Sequence, residues 1–271
     1  MKLDLVRAVV TGGGSGMGRA TTEAIVQAGG KVCIVDYYQE RCEEVVAALG
    51  DSVCYACADV SDPKRAEEIV NGAVEKFGYV NVVVNCAGVG SGNRILPRDG
   101  GVFPLETFKR VLDINLIGTF NYLCYGALAM SKAPENEDGE RGVIINTSSN
   151  AYSQGQIGQV AYSASKAAVE GMTLPVAREL ARVGIRINTI VPGSVSTNMS
   201  GVDSLGKQSS EPGNDGPVVS IEALAAKDFI FPLRSGHATE YASLALEMIR
   251  NAMLNGGSYA LGGAMRMSPK W

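Results

Sequence analysis

Histidine is almost missing from this chain: His237 is the only one in 271 residues. Catalytic triads and His-based metal sites are thereby excluded, and no metal is expected. Basic runs are missing as well. Lys and Arg total 24 against 28 Asp and Glu, for a net charge of −4 and a pI near 5.2, which argues against a nucleic-acid partner. No apolar run approaches the roughly 18 residues that suggest a membrane span, and the N-terminus enters a strand pattern without a signal-peptide pattern. The expectation is a cytoplasmic protein with no membrane partner.

Cysteine is modest in number, and the six residues sit mostly inside apolar strand or helix patterns, where reduced, packed thiols are expected. Cys54 and Cys57 do form C-x-x-C. A redox motif of that form opens a helix after a strand, whereas these two lie within a strand pattern ahead of Ala58-Asp59, so neither redox nor metal chemistry is read there. A hydrophobic share of 46% with 19% charged residues is ordinary for a globular protein with a sizeable core.

Glycine is plentiful, at 33 residues, and clusters at turn positions. The strand pattern Leu5 to Val10 runs directly into Thr11-Gly12-Gly13-Gly14-Ser15-Gly16-Met17-Gly18, followed by a helix pattern to Ala28 and a second strand from Lys31 to Asp36. Such a β-α-β unit places a glycine turn where backbone can approach a pyrophosphate at a helix N-terminus, with an acidic residue ending the next strand. A third strand pattern ends at Asp59-Val60, and further ones run over Val80 to Val84, Val143 to Asn146, Ile185 to Val191 and Tyr259 to Leu261. Helical patterns cover 62–77, 104–130, 159–181 and 239–251. Alternation of this kind predicts an α/β fold, one Rossmann-type doubly wound parallel sheet over residues 1–271 with helices on both faces. The segment 133–142 reads as a surface loop.

Within the helix pattern from Gln159, Tyr162 and Lys166 stand four apart and share one face. A fixed ammonium near a phenol favours the phenolate, which suits a tyrosine to acid/base work near neutral pH.

The form Thr11-Gly12-x-x-x-Gly16-x-Gly18, together with Tyr162-x-x-x-Lys166 and Ser149 thirteen residues ahead of Tyr162, resembles the short-chain dehydrogenase/reductase family. The resemblance covers nearly the whole chain, and its motifs follow in family order. It implies a secondary alcohol–ketone oxidoreductase using NAD, with Asn115, Ser149, Tyr162 and Lys166 as catalytic residues. Ser148 is a neighbouring candidate, but the spacing favours Ser149. Cofactor contacts are implied at Gly12, Ser15, Gly16, Met17 and Gly18, at Asp36 and Tyr37, at Asp59 and Val60, at Asn85, Ala87 and Gly88, at Tyr162 and Lys166, and at Pro192, Gly193, Val195 and Thr197. Residues 194–228, rich in Gly, Pro and Ser and containing a short helix-like 221–227, correspond to the family's substrate lid.

Segments 141–147, 155–162 and 171–178 are similar to the type II 3-hydroxyacyl-CoA dehydrogenases, which puts a 3-hydroxyacyl-CoA first among substrates. The basic residues available for its phosphates are few: Lys207 and Lys227 in the lid stand among Asp203, Glu211, Asp215 and Glu222, with Arg94 and Arg98 after Asn85. A neutral cyclic, aromatic or steroid alcohol is therefore the alternative, and a non-catalytic cofactor-binding scaffold stands behind both. A homodimer or homotetramer is expected from the family and the apolar helix faces.

Overall fold

Among the described residues, short runs of β-branched and small apolar residues form seven strands: β1 (Arg7–Thr11), β2 (Lys31–Asp36), β3 (Val53–Cys57), β4 (Val82–Asn85), β5 (Gly142–Thr147), β6 (Ile185–Pro192) and β7 (Ser258–Leu261). The computed structural model describes residues 1–97, 100–196 and 228–269. Thr197, Arg98 and nearly all of the expected lid, including 221–227, lie outside the described residues. Every strand pair is parallel, in the order β3-β2-β1-β4-β5-β6-β7. The order reverses between β1 and β4, the position where open α/β sheets form a ligand crevice beyond their strand ends.

The central strands are buried on both faces, β4, β5 and β6 along their whole length, which is why they read as continuous apolar runs instead of alternating ones. On one face Val10, Ile34 and Ile145 pack against the helices α1 (Gly16–Gln27), α2 (Gln39–Leu49) and α8 (Ala238–Arg250), through residues such as Ile25, Val45 and Met248. On the other, Val9, Val35 and Ile144 meet α3 (Pro63–Phe77), α5 (Thr119–Met130) and α7 (Val160–Leu180), through Ile69, Tyr122 and Ala177. Helix α3 shows how locally the boundaries are written. Asp62 accepts from the amides of Lys64 and Arg65, Pro63 opens the first turn, and Gly78 ends it in the left-handed conformation.

Four differences from the sequence reading have physical causes. The helix α2 follows β2, although the sequence reading assigned nothing there; its Cys42 and Val45 recur at helical spacing and both bury. The third strand ends at Cys57, because Asp59 turns to accept from the amide and hydroxyl of Ser61. The single helix expected over 104–130 is instead α4 (Leu105–Leu112), a π-helical turn over Asp113–Gly118, and α5. The loop 133–142 is not wholly surface. Glu140 is buried and holds Arg186 at 2.7 Å, and that guanidinium also donates to the carbonyls of Met248, Ile249 and Leu254.

Candidate active site

The glycine turn between β1 and α1 is shaped by contacts that exclude side chains. Gly12 has φ +64°, and a Cβ there would stand 2.9 Å from the Ala87 amide; one on Gly18 would stand 2.2 Å from the carbonyl oxygen of Gly12. Backbone thus packs on backbone, and α1 begins immediately after Ser15, whose extended conformation turns the chain into the helix. Asp36, 7% exposed at the tip of β2, accepts from the Gly14 amide at 3.0 Å and from the Tyr38 amide at 3.2 Å. Its carboxylate therefore joins the turn to the β2 end, with Tyr37 exposed beside it.

Neighbouring strand ends add to this edge. Val60 is buried against Gly118, and the Asn121 amide group donates to the carbonyls of Val60 and Ser61. Thr11 accepts from the Ala87 amide at 3.2 Å, which ties the ends of β1 and β4 together. The buried side chain of Asn85 faces α5, donating to Asn146 at 2.9 Å and to the Thr119 carbonyl at 3.5 Å. After β6, Asn150 donates to the Pro192 carbonyl, the Gly193 amide donates to Leu261, and buried Val195 pairs with Gly236 in a short parallel bridge.

The polar cluster lies beyond the ends of β4 and β5. Lys166 Nζ, buried on α7, donates to the Thr147 carbonyl at 2.8 Å. Asn115, fully buried in the π-helical turn, accepts from the Val89 amide at 2.7 Å and donates to the Val89 carbonyl at 2.9 Å and Ser165 Oγ at 3.0 Å. Gly88 stands between these groups: a Cβ there would lie 3.1 Å from Asn115 Oδ1 and 3.5 Å from Lys166 Nζ. Tyr162 neighbours Ser149, which acts on its phenol, and Ser149 Oγ accepts from the Ala151 amide at 3.2 Å. The neighbouring Ser148 donates instead to the Lys166 carbonyl at 3.0 Å, which separates the two serine candidates.

Burial dominates the electrostatics. It pushes the Tyr162 phenol above its ordinary value, against the opposing effect of neighbouring Ser149. It also pushes the Lys166 ammonium down to about 8. The sequence argument expected the ammonium to depress the phenol. Instead Nζ sits 5.7 Å from the Tyr162 ring centroid and is directed to Thr147, so desolvation outweighs that attraction.

Residues 7–207 match the family model for short chain dehydrogenases. The chain belongs to the short-chain dehydrogenase family. It is 42% identical to the 3-hydroxyacyl-CoA dehydrogenase type-2 of Drosophila melanogaster over 262 residues, covering 96% of this chain and 97% of that protein. A 2,5-dichloro-2,5-cyclohexadiene-1,4-diol dehydrogenase of Sphingobium indicum is 37% identical over 194 residues, 70% of this chain and 73% of that one. Among solved structures, a 3-hydroxyacyl-CoA dehydrogenase type-2 from Mycobacterium avium superposes with a TM-score of 0.84 at 33% identity, covering 97% and 96% of the two chains. As a short-chain dehydrogenase the protein is an oxidoreductase acting on CH–OH groups of a small molecule with a nicotinamide cofactor.

The residues present fit that cofactor. The backbone-on-backbone cradle at Gly12 and Gly18, the helix N-terminus at Ser15, and a buried carboxylate at the tip of β2 are the features a dinucleotide requires. Three supporting residues escaped the sequence reading. Thr147 acts through its carbonyl, which any residue type provides, so no signal exists for it. Ser165 lies inside the Tyr162-x-x-x-Lys166 motif and Asn121 beyond Asn115, where a buried polar residue in an apolar pattern is the available clue.

Proposed function

We propose that this dehydrogenase is NAD-dependent, works through Ser149, Tyr162 and Lys166 with Asn115 supporting them, and takes a 3-hydroxyacyl-CoA as substrate. The observation that carries the catalytic reading is the convergence of neighbouring Ser149 and Tyr162 with buried Lys166 and buried Asn115 beyond the ends of β4 and β5. When bound, the nicotinamide supplies the hydride acceptor or donor. Gly12, Ser15, Gly16, Met17 and Gly18 would hold its phosphates, Asp36 and Tyr37 the adenosine ribose, and Asp59 and Val60 the adenine. Ala87, Gly88, Lys166, Pro192, Gly193 and Val195 would line the nicotinamide half.

Ser149 donates to the substrate oxygen, where charge develops during reaction. Tyr162 moves the proton at that oxygen, accepting it during alcohol oxidation and returning it during ketone reduction. Lys166, held by Thr147, keeps a positive charge beside the phenol at neutral pH, because even its lowered value stays above 7. Asp36 supports NAD over NADP, since a carboxylate accepts from ribose hydroxyls and repels a 2′-phosphate. A homodimer or homotetramer is supported by apolar residues left exposed on the helices: Leu105, Ile117, Phe120, Leu128 and Leu174.

The acyl-CoA reading is supported by the relatives' names, and the cyclic-diol relative supports a neutral alcohol as the second reading. The test compares kcat/KM for 3-hydroxybutyryl-CoA with that for a neutral cyclic alcohol at low and high salt. The acyl-CoA reading expects the thioester to be preferred and its KM to rise with salt. A preference for the cyclic alcohol, or a thioester KM indifferent to salt, would replace the first reading with the second.

A further inference from the structure

Four of the six cysteines gather at the outer end of the sheet, on β2, β3 and α2. The sequence motif pairs the wrong two. Strand alternation places Cys54 and Cys57 on opposite faces, and Cys57 Sγ donates to the Tyr37 carbonyl at 3.1 Å. Cys42 packs in the core layer with Val32 and Ile34. Cys33 and Cys54, in contrast, are direct register partners on adjacent parallel strands and pack together on the α3 face. Neighbouring strands run about 4.8 Å apart, inside the Cα window of roughly 4.4–6.8 Å that a disulfide bridges. The two thiols are free. Their exposures differ: Cys33 is 4% exposed, while Cys54 is only partly buried.

We infer that Cys33 and Cys54 form a reversible, peroxide-oxidised dithiol at the adenosine end of the cofactor site. Cys54 is the attacking sulfur, being the accessible member. Its Cys33 partner and the Lys76 ammonium of α3 both favour its thiolate, while Cys33 itself is held in the thiol form by Cys54 and by burial. The Cys54 thiolate attacks one oxygen of hydrogen peroxide, the O–O bond breaks, and the departing hydroxide takes up a proton and leaves as water. Cys33 sulfur then attacks the Cys54 sulfenic acid, the S–O bond breaks, the S–S bond forms, and a second water carries away the Cys33 proton. Two thiols lose two electrons and one peroxide becomes two waters.

The bridge is of the labile kind. Directly paired Cβ atoms stand about a strand spacing apart and must close to about 3.8 Å, and bridges that strain their surroundings are readily reduced. Closing them draws β2 toward β3 three residues before Asp36, whose own register partner on β3 is Cys57. This coupling, unlike the crosslink, rests on the dinucleotide reading given above.

The test treats the whole protein with a slight excess of hydrogen peroxide and reads intact mass, peptide linkage and NADH affinity. The expected result is a loss of two mass units, a linked Cys33–Cys54 peptide, reversal by dithiothreitol, and NADH binding at least about threefold weaker than in the reduced protein. Cys54→Ser should abolish the mass loss, Cys33→Ala should leave a Cys54 sulfenic acid trappable by dimedone, and Cys124→Ser should change neither. A linked peptide joining other cysteines, a mass loss that survives Cys54→Ser, or no oxidation of the wild type would overturn the dithiol. A formed bridge with unchanged NADH affinity would overturn the coupling. Failure of the reduced protein to bind NADH would count against the dinucleotide reading alone.

Discussion

Lys166 Nζ donates to the carbonyl of Thr147, so the one buried ammonium of α7 is fastened to the end of β5. Thr147 is fixed in turn: its hydroxyl donates to the Asn85 carbonyl at 2.6 Å and lies 2.7 Å from the buried Tyr241 hydroxyl on α8. The ammonium's position is thus set by the sheet and by the helix on its far face.

Holding that charge out of water costs stability. Burial lowers Lys166 from the ordinary 10.5 to about 8. Below pH 8 the folded and unfolded states both carry the proton and the cost is present in full. Between pH 8 and 10.5 the folded state releases it first, the unfolded state binds more protons, and stability rises with pH. Lys166→Met should therefore be more stable than wild type at pH 7, by up to about 3 kcal/mol. The gap should narrow as pH climbs from 8 to 10.5. Denaturant titrations across that range check this; a pH-independent gap would contradict it.

Tyr162 gives a prediction of opposite use. Burial raises its phenol, so the neutral form is held at neutral pH and is ready to donate in ketone reduction. Alcohol oxidation needs the phenolate. Its kcat/KM should rise with pH through the alkaline range, while that for reduction stays level and then falls as the phenol ionises. An oxidation profile already level at pH 7 would show that the phenolate is the resting form and that the buried ammonium outweighs desolvation once ligands bind.

Asp36→Ala removes the acceptor of the Gly14 and Tyr38 amides and, on the NAD reading, the carboxylate that would repel a 2′-phosphate. A charged hydrogen bond contributes about 1.5–3 kcal/mol, so kcat/KM with NAD should fall roughly tenfold to a hundredfold while that with NADP holds or rises. Parallel titrations with the two cofactors decide it, and equal losses with both would remove Asp36 from cofactor choice.

Asn115→Leu leaves the half-buried amide and carbonyl of Val89 without their side-chain partner. Each orphaned group costs about 1–3 kcal/mol, so the variant should unfold at distinctly lower denaturant than wild type. Asn115→Asp, which keeps the acceptor for the Val89 amide, should lose less. Equal losses would mean that charge burial, and not the Val89 pairing, decides stability there.

The sheet was readable from the sequence because β4, β5 and β6 are short β-branched runs between turns, a pattern that survives without knowledge of partners. Boundaries set by side chains reaching across space were not. The π-helical turn at Asn115 depends on the pairing with Val89 twenty-six residues away, and the burial of Glu140 depends on Arg186 forty-six residues on. At the site, the i, i+4 spacing places Tyr162 and Lys166 on one face of α7, but spacing carries no information on how much water surrounds them. The direction of the Tyr162 shift, set by burial, was therefore misread. Helix α2 is legible only in the spacing of Cys42 and Val45, since its other positions are mostly exposed.

The most direct test of the account is Tyr162→Phe, assayed for both turnover and NADH binding. The ring remains, so the fold and nucleotide site should be kept, with NADH affinity near that of wild type. Loss of the hydroxyl should lower kcat by about a hundredfold or more in both directions, the scale of a missing general acid/base. A Tyr162→Phe protein that turns over near the wild-type rate would contradict the assignment of the reacting proton to this residue.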